Sequence, residues 1–130
     1  MSGLTSTEAA VLERAAAEPM LASVEEWAAI NSGSSNLAGL AQLAVRLADA
    51  FSPLPGDLNL RKAASAEVVL PDGALEEQPH GDNLHLVVRP EAPVQLLLTG
   101  HMDTVFAADH PFQRISRKEQ GVIGGPGSPT

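Results

Sequence analysis

The sequence of 130 residues contains no cysteine. Disulfides and thiolate metal sites are thereby excluded, and any metal must be held by imidazole and carboxylate. Aromatic residues make up only 3% of the chain, and much of its apolar fraction is alanine. Alanine buries little area per residue, so the expected core is thin for this length. Basic residues are scarce, 8 Lys and Arg against 16 Asp and Glu, for a formal net charge of −8. A field of that sign repels phosphate backbones and anionic lipid surfaces, so nucleic acid and membrane are poor partners. No apolar run approaches the length of a membrane span. The amino terminus is interrupted by Glu8 and Glu13 and lacks the basic start of a signal peptide. The cytoplasm is the expected location.

The hydrophobic fraction is 44% and the mean hydropathy +0.02, which argues against disorder throughout. Thr5 and Glu8 have the spacing of a capping box that opens a helix. That helix carries Val11, Leu12 and Ala15 on one face, and Pro19 ends it or opens the next. The second helical stretch places Met20, Leu21, Val24, Trp27 and Ile30 at helical spacing, with Trp27 read as core and Glu25-Glu26 as a solvated face. A polar break at residues 31–35 follows. The helical period then returns from Asn36, with Leu37, Leu40, Leu43, Ala44 and Leu47 as its stripe. Pro53, Pro55 and Gly56 close this helical half.

Beyond it the period changes. Residues 67–70 and 83–89 read as short strands, the second alternating Leu84, Leu86 and Val88 against His85, Val87 and Arg89. Pro71-Asp72-Gly73 signals a turn between them. Residues 94–99 are apolar on both faces and predict a strand buried on both sides. Helices followed by such a strand imply an α/β fold, amino-terminal helices leading into strands of a mixed sheet. The glycine- and proline-rich tail from Gly121 predicts no closing element. The whole chain, 1–130, is read as part of a single domain, with no separate linker and no complete second domain.

The chemistry concentrates in VQLLLTGHMDTVF. An apolar strand delivers His101 and Asp103 at its carboxyl end, where ligands bind in open α/β sheets. Two positions apart on a strand, they share a face. An imidazole that binds a metal through one nitrogen normally donates its other N–H to a carboxylate or carbonyl, and Asp103 is placed to be that partner. The tripeptide alone is a weak signal.

The segment LLLTGHMDTVF resembles the metal-binding strand of the zinc aminoacylase and carboxypeptidase family, which includes glutamate carboxypeptidase, acetylornithine deacetylase and succinyl-diaminopimelate desuccinylase. The similarity extends upstream to INSGSSNLAGL and downstream to DHPFQ and GVIGGPG. It implies the amino-terminal part of a zinc-exopeptidase-like catalytic domain, incomplete in this chain. It further implies that His101 ligates one zinc of a two-metal site and that Asp103 holds the imidazole. Activity would be hydrolysis of an amide in a small peptide or N-acyl amino acid by metal-activated water. Any homodimer would form through regions that these residues do not supply.

The sequence departs from the family pattern at Thr130, where a bridging aspartate is expected. A catalytic zinc takes three protein ligands and a water, so the chain alone is expected to bind metal weakly and to be inactive. His85 reads as a partly exposed sheet residue and His80 as solvated, while the resemblance gives Asp109 and His110 no ligand role. Ser32, Ser34 and Ser35 read as a helix cap. The competing reading is a non-catalytic remnant or interaction module that retains the first half of the fold.

Overall fold

The computed structural model describes residues 3–117 and 122–127, in which three helices precede six short strands. Helix α1 (Ser6–Ala17) opens with the expected capping box: the Thr5 hydroxyl accepts from the Glu8 amide, and the Glu8 carboxylate accepts from the Thr5 amide at 2.7 Å. That carboxyl is held below its usual value, chiefly by the Thr5 backbone hydrogen bond. None of the α1 side chains is buried, so Val11 and Leu12 face solvent. Pro19 is the N-cap of α2 (Met20–Ala28), consistent with its fixed φ and missing donor.

Helix α3 (Leu37–Phe51) carries the centre of the fold. Asn36 caps it by accepting from the Gly39 amide at 3.2 Å, and Leu40, Leu43 and Ala44 are buried along one stripe. With Ala28 and Ile30 they make up the buried apolar core of the described residues. Ser32 and Pro126 are also fully buried.

The strands do not join one mixed sheet. They form three separate two-stranded antiparallel ribbons. Strand β1 (Asp57–Arg61) pairs with β4 (Asn83–Val87), with Leu58 opposite Leu86 and Leu60 opposite Leu84. This ribbon packs on α3 and turns Leu84, Leu86 and Val88 inward, as the alternation predicts. Between its strands, β2 (Ala66–Val69) and β3 (Leu75–Gln78) form a hairpin, so Pro71-Asp72-Gly73 turns within that hairpin rather than leading to β4. Asp72 accepts from the Ala74 amide at 3.0 Å there. Strands β5 (Ser116–Arg117) and β6 (Ile123–Gly124) form the third ribbon, and Arg117 pairs with Glu25 of α2. The glycine-rich tail is thus structured: its Ile123-Gly124 is paired, Gly125 and Pro126 are buried, and the Gly127 amide donates to the Ala28 carbonyl at 3.0 Å.

The expected doubly buried strand at residues 94–99 is not formed. The segment pairs with no other strand among the described residues, and Leu96, Leu97 and Leu98 are 86%, 88% and 92% exposed. Period alone signals which residues want burial; it does not supply the neighbouring strands that burial requires. Arg89, Pro90 and Ala92 carbonyls instead accept from the Gln95 side chain, which ties down only the start of the segment.

With so small a core, one aliphatic side chain carries much of the stability. Leu43→Ala is expected to cost about 2–5 kcal/mol and to abolish or strongly lower the thermal transition followed by circular dichroism. Leu97→Ala, at an exposed position, is expected to change stability by less than about 0.5 kcal/mol.

Candidate metal-ligand site

The site is assembled by a clasp between the polar turn before α3 and the segment after His101. Gly33 and Thr104 form an isolated parallel bridge: the Thr104 amide donates to the Ser32 carbonyl at 2.9 Å, and the Ser34 amide to the Thr104 carbonyl at 3.0 Å. The Thr104 hydroxyl donates to the Pro126 carbonyl at 3.1 Å, which leaves its lone pairs for the Ser32 hydroxyl, 3.3 Å away. Asn31 reinforces the turn, accepting from the Gly33 amide at 3.1 Å and donating to the Ala107 carbonyl at 3.1 Å. The backbones approach so closely that a Cβ on Gly33 would overlap the Phe106 carbonyl, and one on Gly39 the Asn31 carbonyl.

This clasp brings His101, Asp103 and Ser34 together. His101 Nδ1 lies 2.9 Å from the Asp103 carbonyl and 3.1 Å from Asp103 Oδ1. Both oxygens accept, so Nδ1 carries the hydrogen and Nε2 of the neutral ring is a free acceptor. The opposite carboxylate oxygen, Oδ2, accepts from the Ser34 hydroxyl at 2.7 Å. That hydrogen bond holds the Asp103 carboxyl below its usual value; partial burial opposes it, and His101 adds a smaller lowering. The imidazole itself stays 80% exposed.

The pairing of His101 with Asp103 does not need a regular strand, since residues 101–103 belong to none. Ser34 departs from its reading as a helix cap: Asn36 caps α3, and the Ser34 hydroxyl is spent on Asp103. Nothing in the sequence around Ser34 signals a partner 69 positions away. His80 is exposed, as expected. Its Nδ1 donates to the Ala64 carbonyl at 3.1 Å, and it lines the same groove as His101 and Asp103. His85 is exposed on β4, as expected. His110 stays in its own loop, its ring tilted against Phe106 at 4.7 Å and accepting from the Phe112 amide at 3.1 Å. Thr130 lies outside the described residues.

A zinc site needs three protein ligands in reach of one ion. Among the described residues no group of three or more His, Asp or Glu side chains comes together in that way. They therefore do not complete a metal centre. Also among them, no helix is long and apolar enough to cross a membrane. No family model, curated protein or solved structure matches the chain.

The lowered Asp103 carboxyl has a defined pH signature. A group whose folded pKa is depressed contributes stability that is present above its unfolded value, about 3.9, and lost as pH falls through the folded value. Ser34→Ala removes the largest cause of the depression. The Asp103 carboxyl carbon, followed by NMR against pH, is expected to titrate at higher pH in Ser34→Ala than in the wild type. An unchanged midpoint would refute this assignment of the cause.

Proposed function

We propose that this chain contributes His101 to the metal site of an amide hydrolase of the zinc aminoacylase and carboxypeptidase type, acting on a small peptide or an N-acyl amino acid. The observation that carries the reading is the hydrogen-bonded chain from Ser34 to Asp103 to His101, at 2.7 Å and 3.1 Å. A carboxylate on Nδ1 fixes the tautomer, raises the basicity of Nε2 and aims it outward, as ligand imidazoles require. Ser34 in turn fixes the carboxylate. Asp103 is on this reading a positioning residue for the ligand. The acidic, cysteine-free composition suits a cytoplasmic protein. The remaining metal ligands must come from beyond the described residues, and no catalytic step is assigned to this chain alone.

A second reading, a non-catalytic interaction module, is favoured by the three consecutive exposed leucines at 96–98. Turnover separates the two. The zinc-loaded gene product is expected to hydrolyse peptides or N-acyl amino acids, His101→Ala to abolish turnover, and Asp103→Ala to lower zinc affinity about 10–100-fold. Turnover that survives His101→Ala would exclude His101 as a ligand of the hydrolytic metal. Absent turnover with unchanged zinc binding in His101→Ala would favour the interaction module.

A further inference from the structure

The groove that contains His101 has a volume of about 940 Å³, within the range of small-molecule sites. Leu40, Leu47 and Phe51 of α3 form one side of its apolar lining, with Leu84, Leu98 and Met102 beside them. The loop after β3 stands directly over this helix, because Gly81 packs against the Leu40 side chain. That contact brings His80 and Asp82 to the groove.

His80 has the same internal constraint as His101. Its Nδ1 faces a carbonyl oxygen, which only accepts, so Nε2 of the neutral ring is left as an acceptor. The two imidazoles are not close enough, with any carboxylate, to make a three-ligand metal cluster among the described residues. His80 is therefore suited to hydrogen bonding with a ligand rather than to sharing an ion with His101. The charge of the groove selects further. Asp82 and Asp103 line it, and no lysine or arginine does so among the described residues. A ligand carrying an additional carboxylate meets repulsion there and finds no cation to pair with. An uncharged ligand with N–H donors and an aliphatic side chain meets complementary groups on both counts.

We propose that this groove binds a neutral, amide-bearing ligand with a large apolar side chain, the side chain lying on Leu40, Leu47 and Phe51 and an N–H donating to Nε2 of His80. The inference goes beyond the hydrolase reading, whose substrates carry a carboxylate, and does not depend on it; it selects neutral apolar over acidic amino-acid derivatives.

The test is a titration of the ¹⁵N-labelled chain, without metal, by N-acetyl-L-leucinamide and by N-acetyl-L-glutamate. The leucine compound is expected to shift the amides of Gly81, Leu84, Leu98 and Met102 saturably, and the glutamate compound to leave them unmoved at the same concentration. His80→Phe, at an exposed position, is expected to weaken binding about fivefold to tenfold, and His80→Gln, which keeps an acceptor, to restore most of it. Equal or tighter binding of the glutamate compound, shifts scattered away from the groove, or an unaffected His80→Phe would each overturn the proposal. So would movement of the same amides with protein concentration alone, which would make the groove an interface between copies. Because no metal is present, saturable leucinamide binding does not draw on the hydrolase reading, which turnover by the zinc-loaded protein decides separately.

Discussion

The fold depends on the contact between the Ser32–Ser34 turn and Thr104. The turn follows α1 and α2, and Thr104 precedes the tail that closes the core. Thr104 joins them, because its backbone bonds the turn while its hydroxyl bonds Pro126. Ser32 is fully buried, so its hydroxyl has to be satisfied from inside the protein. Loss of that partner costs about 1–3 kcal/mol for a buried polar group. In a protein whose buried apolar side chains are Ala28, Ile30, Leu40, Leu43 and Ala44, a penalty of that size is a large fraction of the whole. A polar clasp here does work that a thicker hydrocarbon core does elsewhere. It also sets how finely the site is placed, since Ser34 reaches Asp103 only while Thr104 is held.

Apolar surface is distributed accordingly. Helix α3 can bury one stripe because the β1–β4 ribbon lies on it. Helix α1 has no such partner among the described residues and is held by its own capping box and helix propensity. Three two-stranded ribbons are a weak way to use strands, because a ribbon without a hydrophobic face to pack on is marginal in water. The apolar segment at residues 94–99 takes this to its limit. It has strand composition and exposed backbone groups on both edges, which is the pattern of a strand prepared for pairing with another strand.

What could be read from the sequence was what nearest neighbours decide. The Thr5–Glu8 capping box and the stripe through Leu40, Leu43 and Ala44 are written within one or two helical turns, and both are found, whereas the cap of α3 falls to Asn36 rather than to the serines before it. The alternation of Leu84, Leu86 and Val88 is equally local and equally visible. Strand β1 was missed because Pro53, Pro55 and Gly56 mask its start and its partner lies beyond the β2–β3 hairpin. The leucines at 96–98 were expected inside because composition records a demand for burial without recording whether it is met. At the candidate site, the spacing of His101 and Asp103 made their pairing legible. Ser34 and His80 were not, since both reach the groove through contacts between distant parts of the chain. No local pattern encodes such contacts.

The exposed leucines and the oriented histidine lie on one continuous segment. Residues 98–103 run from Leu98, one of the most exposed side chains, to Asp103, and both ends line the same groove. At 80% exposure the His101 ring is oriented by hydrogen bonds but is surrounded by water. Water screens the interaction of the ring with Asp103, or with any ion, to a small fraction of its strength in a low-dielectric setting. A strand laid along residues 94–99 would cover the leucines and exclude water from the adjoining histidine in the same step. Any partner that satisfies the apolar demand of this segment therefore also strengthens the electrostatics of the site. Burial of residues 94–99 and the strength of the hydrogen bonds on the His101 ring are linked by adjacency in the chain.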